Sequence, residues 1–242
     1  MNRSSVGPSS LNQIDKQPIL IISATRASPE KFAERPLGQS LPRVKTAGAV
    51  VAHVTCDNST GLPSLYNRHI TQERRSSILV FVHDDVWLDD VFFALRVRQA
   101  MEQFDVVGLA GNTRLLPEAP AWGFKDDAMK WDKGYLTGLV CHGKQPFGKP
   151  SVYGPTPAAA QLLDGVLLAA KCSALLDSGV RFDEQFNFHF YDLDFSRQAN
   201  AAGLKVGTWP IGVTHVSGGA FNSPAWKKAR ILYRKKWSET KS

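Results

Sequence analysis

Three polar residues, His83-Asp84-Asp85, follow five apolar ones, Ile78–Val82, in the stretch ILVFVHDDVWLDD. An unbroken apolar run of that length predicts a strand buried on both faces, as in a parallel sheet. Open α/β sheets bind their ligands at the carboxyl ends of such strands. Adjacent aspartates repel each other, so a fold that places them there needs a cation. Mg²⁺ and Mn²⁺ favour oxygen ligands and commonly bridge to phosphates. The competing reading is an acidic turn that caps the next helix. Leu88-Asp89-Asp90, ahead of Val91–Met101, would serve that purpose alone.

Other stretches carry less specific chemistry. The run PILIIS ends in Ser23-Ala24-Thr25-Arg26, whose small polar residues either leave room for a ligand or form an ordinary strand exit. Ala47–Thr55 is a second apolar strand, followed by turn residues Cys56-Asp57-Asn58-Ser59-Thr60-Gly61. Residues 113–160 are dense in Gly and Pro yet hold Trp122, Trp131, Tyr135, Phe147 and Tyr153. That aromatic content is too high for a linker. It predicts antiparallel hairpins beside the sheet, lining a pocket for something planar or sugar-like, or forming a small satellite core.

The elements that must position these residues alternate between strand and helix, the pattern of an α/β sheet with parallel strands. Residues 27–43, with three prolines, read as a surface loop with at most a short helix. A helix follows over Val91–Gln103, with Val91, Ala94, Leu95, Val97 and Met101 as its apolar stripe, and then a strand over Asp105–Ala110. Leu162–Ala170 is apolar around Asp164-Gly165, and Lys171–Ser178 is a short helix stopped by Gly179. The spacing predicts a helix over Tyr191–Ala202, a strand over Leu204–Trp209, and a Gly-rich exit after His215.

The chain has 242 residues and a formal charge of +7, enough to bury a sizeable core in one large domain. The three cysteines, Cys56, Cys141 and Cys172, show no metal spacing and point to reduced thiols in the cytoplasm. Residues 1–17 form a polar lead with no apolar signal core, residues 18–224 the folded domain, and residues 225–242 a basic helical tail. No run is long enough to span a membrane, and no nucleic-acid motif is present. Basic residues of the tail, with Trp226, Ile231 and Trp237, could bring the protein to the inner face of a membrane; a solvated helix or an oligomer contact is the alternative.

In order and type, these motifs resemble the glycosyltransferase family 2-like enzymes of GT-A fold. The similarity is to a subgroup whose Asp-rich metal motif begins with His. It runs from about Ile19 to Gly219 and rests on six motifs: Cys56-Asp57-Asn58-Ser59, Asn67-Arg68-His69-Ile70, His83-Asp84-Asp85, Asp164-Gly165-Val166, Phe182-Asp183-Glu184 with Tyr191-Asp192-Leu193-Asp194, and His215. Two departures stand out. His83 replaces the first Asp of the DxD motif, and Tyr191 replaces the Glu of the usual Glu-Asp pair.

The resemblance implies a mostly parallel central sheet flanked by helices, with a smaller antiparallel, loop-rich acceptor region. It implies inverting transfer of a sugar from a nucleotide-sugar to a hydroxyl on a glycan or lipid-linked acceptor, as in bacterial surface glycan synthesis. A divalent ion, Mn²⁺ or Mg²⁺, would sit on Asp85 and His215. Ser23, Thr25, Arg26, Asp57, Asn67, Asp84 and Asp85 would hold the donor, and Trp122, Asp164, Gly165 and Tyr191 the sugar or acceptor. Asp192 would be the base, kept charged by the dipole at its helix N-terminus; the alternative is that Asp192 or Asp194 merely caps the helix. Asp194 should point to a different face, and His189 reads as structural. Two rivals stay open: a sugar-phosphate nucleotidyltransferase, and an inactive nucleotide- or sugar-binding module.

Overall fold

A computed structural model describes residues 17–45, 50–116, 119–218 and 221–239. The polar lead, apart from Gln17, and the first residues of the expected second strand lie outside these. Among the described residues the main sheet has seven strands: β1 (Ile19–Ala24), β2 (Val50–Thr55), β3 (Ile78–Val82), β5 (Val106–Gly108), β9 (Ala158–Ala159), β11 (Leu167–Lys171) and β12 (Val206–Thr208). Their order is β2-β1-β3-β11-β5-β12-β9. Pairing makes β2, β1, β3, β5 and β12 run one way, with β11 and β9 opposed. The sheet is therefore mostly parallel, as expected. Every residue of β3 is buried, which is why its sequence shows no alternation.

A second sheet holds β4 (Val86–Leu88), β6 (Ala110–Asn112), β7 (Leu136–His142), β8 (Lys149–Gly154), β10 (Leu162–Leu163) and β13 (Val213–His215). Its order is β10-β6-β7-β13-β4, with β8 on the other side of β7. It is largely antiparallel and includes the β7–β8 hairpin predicted within residues 113–160. Short connectors pass from one sheet to the other: His83-Asp84-Asp85 joins β3 to β4, and Asp164-Gly165-Val166 joins β10 to β11.

Several boundaries differ from expectation for identifiable reasons. The expected strand over Asp105–Ala110 divides at Leu109. Its carbonyl accepts from Leu139 N at 3.0 Å, which turns the chain into the second sheet. Residues 27–43 are not a loop: they hold α1 (Pro29–Phe32) and most of α2 (Pro36–Lys45). Leu37, Leu41 and Val44 form a buried stripe on α2, and that burial outweighs the N–H lost at Pro42. Helix α3 (Leu62–Asn67) precedes β3. Helix α4 begins at Phe93 and ends at Gln103, burying Phe93, Ala94, Val97, Ala100 and Met101, so Val91 and Leu95 of the expected stripe face outward. The strand expected over Leu204–Trp209 is confined to β12.

Helices α5 (Cys172–Ser178), closed by Gly179 at φ 72°, and α6 (Tyr191–Ala201) match their predicted positions. An aromatic column under α6, with Phe182 stacked on Phe195 at 4.1 Å and edge-on to Phe81 at 4.9 Å, ties it to β3. The last helix, α7 (Pro224–Glu239), packs on the domain through buried Trp226 and Tyr233. Lys236 Nζ and Trp237 Nε1 both donate to Asp194, which is completely buried. Asp194 is thus the anchor of α7, and Trp226 and Trp237 are used in packing rather than offered to a membrane.

Candidate active site

Strand pairing assembles the first cluster. β13 lies antiparallel to β4 with His215 opposite Val86, which sets the His215 ring beside Asp85. His215 Nε2 is 3.3 Å from Asp85 Oδ1, and Ser217 Oγ is 3.0 Å from the same nitrogen. Donor atoms of His83, Asp85 and His215 all lie within 4.8 Å of one another. Burial alone would raise the Asp85 pKa, but the His215 hydrogen bond and the two imidazoles outweigh it and hold the group at about 2. Burial lowers the His83 pKa, so its ring is neutral. One carboxylate and two imidazoles suit a divalent transition ion such as Mn²⁺ better than Mg²⁺, which prefers oxygen.

The two departures from the family pattern touch each other. Tyr191 Oη donates to the Gly165 carbonyl at 2.8 Å and lies 3.0 Å from His83 Nε2. Burial raises the Tyr191 pKa well above its ordinary range, so the phenol keeps its proton. A carbonyl can only accept, so that proton points to Gly165 and the phenolic oxygen accepts from His83 Nε2–H. The neutral ring has one N–H, and the network therefore assigns the lone pair to Nδ1. Tyr191 thereby fixes the orientation and tautomer of the His83 ring, the work done in many metal sites by an outer hydrogen-bonding partner.

Asp192 follows Tyr191 at the start of α6, where its Oδ2 accepts from Gly165 N at 2.8 Å. The helix dipole does not decide its charge. Burial pushes its pKa up to about 7, with the Asp164 charge adding and backbone N–H groups opposing. Gly165 allows this close approach: a Cβ there would lie 2.5 Å from Tyr191 Oη and 2.8 Å from Asp192 Cβ. Phe190, just before α6, has φ 66°. Its ring packs against Trp226 at 5.4 Å and Tyr233 at 5.1 Å, which holds this unusual backbone in place.

The expected donor residues fare unevenly. Thr25 Oγ1 donates to Asp84 Oδ2 at 2.6 Å, and Arg35 grips the same carboxylate at 3.1 and 3.3 Å. Asp84 is therefore engaged by Thr25 and Arg35 rather than joining the His83, Asp85 and His215 cluster. It lines a small cleft of about 140 Å³ with Ala24, Tyr66, Asp85 and Phe188. Ser23 is completely buried and lines neither cavity, while Arg26, beyond the end of β1, and Asp57, beyond the end of β2, are exposed. Asn67 turns the other way: it brackets Phe182 through both backbone groups at 2.8 and 3.0 Å and donates to Glu184. It is a structural clip rather than a cleft residue.

A larger cavity of about 520 Å³ brings together His83, His215, Asp164, Gly165, Tyr191, Asp192 and Trp122. It also holds Trp131 and Tyr153, two of the aromatics expected to line a pocket, and residues the sequence did not single out, His142 and Phe188. His142 is opposite His215 across the β7–β13 pair, and the exposed Phe188 stacks on His83 at 5.5 Å. His189, expected to be structural, also lines this cavity.

This two-sheet arrangement, with a metal-competent connector at its centre, is the GT-A-like class expected from the sequence. Residues 40–236 match the model of a glycosyltransferase-like family, and the chain belongs to it. Among solved structures it is similar to GalNAc-T7 with UDP, GalNAc and Mn²⁺ (TM-score 0.52, 12% identity, 90% of this chain and 48% of that one). It is also similar to the mannosyltransferase PcManGT from Pyrobaculum calidifontis in complex with GDP-Man and Mn²⁺ (TM-score 0.49, 12% identity, 93% and 65%). A third likeness is to 4-diphosphocytidyl-2C-methyl-D-erythritol synthase from Anaerococcus prevotii (TM-score 0.41, 12% identity, 94% and 99%). The chain thus spans less than two thirds of the first two. No curated protein sequence matches it.

Proposed function

We propose that the protein transfers a sugar from a nucleotide-sugar to an acceptor hydroxyl, with inversion at the anomeric carbon. One observation carries the reading: a carboxylate with a pKa of about 7, Asp192, opens into the same cavity as the His83 and His215 rings of the metal cluster. Asp192 takes the acceptor O–H proton while the acceptor oxygen bonds to the anomeric carbon. The bond from that carbon to the diphosphate breaks, and the nucleoside diphosphate leaves with the electron pair. A divalent ion, Mn²⁺ in preference to Mg²⁺, would be held by His83, Asp85 and His215 and would supply charge neutralisation for the leaving diphosphate. Thr25, Asp84 and Arg35 form the donor-side wall. The likeness to GalNAc-T7 with UDP, GalNAc and Mn²⁺ supports this reading.

The acceptor belongs to glycan or lipid-linked glycan chemistry, of the kind used in bacterial surface glycans. Lys227, Lys228, Ile231, Arg234 and Lys235 share the outward face of α7 and are exposed. That face suits an anionic membrane surface, and the three cysteines, which form no disulfide, suit the cytoplasmic side of it. Flotation with anionic vesicles tests the surface: Lys227→Glu, Lys228→Glu and Lys235→Glu together should abolish it. Among the described residues no helix is long and apolar enough to cross a membrane.

The deciding experiment pairs calorimetry with turnover. UDP or GDP should bind in a Mn²⁺-dependent manner, and Asp192→Asn should keep that binding. The variant should lose about 10²–10⁴-fold in transfer, the usual worth of a general base. Nucleoside diphosphate binding that ignores Mn²⁺ and is unaffected by Asp85→Ala would remove the metal assignment.

A further inference from the structure

One part of the large cavity's lining is aromatic, with Trp122, Phe124, Trp131 and Tyr153 packed on one another. Its wall is a tight hairpin: Phe124 and Trp131 form an isolated antiparallel bridge, and Asp132 N donates to Gly123 O at 2.9 Å. Gly123 lets the Trp131 ring lie flat on the backbone, since a Cβ there would be 2.7 Å from that ring. Trp131 also packs against Phe124 at 4.6 Å and Tyr153 at 5.8 Å, yet stays 44% exposed. Its neighbour Asp132 is buried and fixed by Asn112 at 3.0 Å and by Arg114. Trp131 is therefore a rigid, partly open aromatic surface rather than a loose side chain.

The charges around this surface are selective. Among the described residues lining the cavity there is no Lys or Arg, and the only carboxylates are Asp164 and Asp192. The hairpin's own Lys125 and Lys130, and Lys133 beyond it, are exposed and do not line the cavity, and Arg114 is committed to Asp132 and to the Tyr135 ring at 3.6 Å. A phosphate or carboxylate on the acceptor would find no Lys or Arg in the lining and two acids in the same cavity, which is costly. A pyranose offers a face of C–H bonds to aromatic rings and a rim of hydroxyls to carboxylates and imidazoles. Its size suits a cavity in the range of small-molecule sites.

We infer that this part of the cavity binds the acceptor as an uncharged sugar ring, stacked on Trp131, with its reacting hydroxyl directed at Asp192. The inference rests on the transferase reading and names the class of its second substrate. Any charged part of the acceptor stays outside the cavity.

The test is calorimetry and saturation-transfer NMR on the full chain, with and without UDP or GDP plus Mn²⁺. The probes are a panel of methyl hexopyranosides and the matching hexose 6-phosphates. Methyl glycosides should bind, and the phosphates should bind more weakly. Trp131→Ala should weaken glycoside binding about tenfold, the scale of one aromatic stacking contact. Trp131→Phe should restore most of it, and neither change should alter nucleoside diphosphate affinity. Tighter binding of the phosphates, silence across the whole glycoside panel, or an unchanged Trp131→Ala would overturn the inference. Failure of UDP and GDP to bind with Mn²⁺ would instead sink the transferase reading, and the nucleotide-free arm would still decide this one.

Discussion

Replacing Tyr191 by Phe removes one oxygen and nothing else from a fully buried ring. Two consequences follow from the geometry. The Gly165 carbonyl loses its 2.8 Å donor, and an unsatisfied buried polar group costs about 1–3 kcal/mol of stability. His83 Nε2 loses its 3.0 Å partner, so the ring is no longer biased toward the tautomer with its lone pair on Nδ1. Loss of an outer-shell partner of this kind typically costs 10–100-fold in metal affinity, or about 1.4–2.8 kcal/mol. Mn²⁺ titration followed by electron paramagnetic resonance, with and without UDP, measures the affinity. Imidazole ¹⁵N shifts of His83 in the metal-free protein report the tautomer. A merely structural role for Tyr191 would lower the melting temperature and leave those shifts alone. Unchanged Mn²⁺ affinity together with an unchanged His83 tautomer would refute the argument.

Because the folded pKa of Asp192 lies above its unfolded value, its ionisation opposes folding as pH rises from about 4 through about 7. Asp192→Asn should therefore gain stability relative to the parent across that window, as read by melting temperature against pH, while abolishing the lower limb of the rate profile. Gly165→Ala should impair Mn²⁺ affinity and turnover together, because its Cβ must displace both Tyr191 Oη and Asp192; normal values for both would show that the connector has slack. Asp194→Ala removes the buried carboxylate that holds Lys236 and Trp237 and should cost roughly 3–5 kcal/mol, as breaking a buried ion pair does. A melting temperature within a degree of the parent would exclude that role.

What the sequence disclosed depended on how local the cause was. The buried strand ending at His83, the break at Gly179 and the helix from Tyr191 are written in consecutive residues, and the structure has them all. Arg35 was hidden because prolines on either side of it suggested a loop, whereas the stripe Leu37, Leu41 and Val44 makes the helix that follows it. The charge of Asp192 was misjudged because a dipole is a local property, while burial and Asp164 come from β10 and β11. Asn67 belonged to a family motif, yet its partners at Phe182 and Glu184 become visible only when the chain folds back. The same holds for Tyr191 and His83, whose separate departures from the family pattern turn out to be one hydrogen-bonded pair.

The placement of the reactive residues in the connectors between sheets has a consequence for how such a chain can change. Three residues separate β3 from β4, three separate β10 from β11, and Leu109 alone separates β5 from β6. None of these joints has length to spare. One added residue at Leu109 would rotate the next strand so that its inward side chains face outward, and one added near Asp84 would carry Asp85 away from His215. Insertions that leave the chemistry intact are therefore confined to connectors away from these joints, such as residues 119–135, part of which lines the large cavity, and the β7–β8 turn at residues 143–148. New substrates can be acquired there by lengthening loops, while the joints themselves admit substitution but not growth.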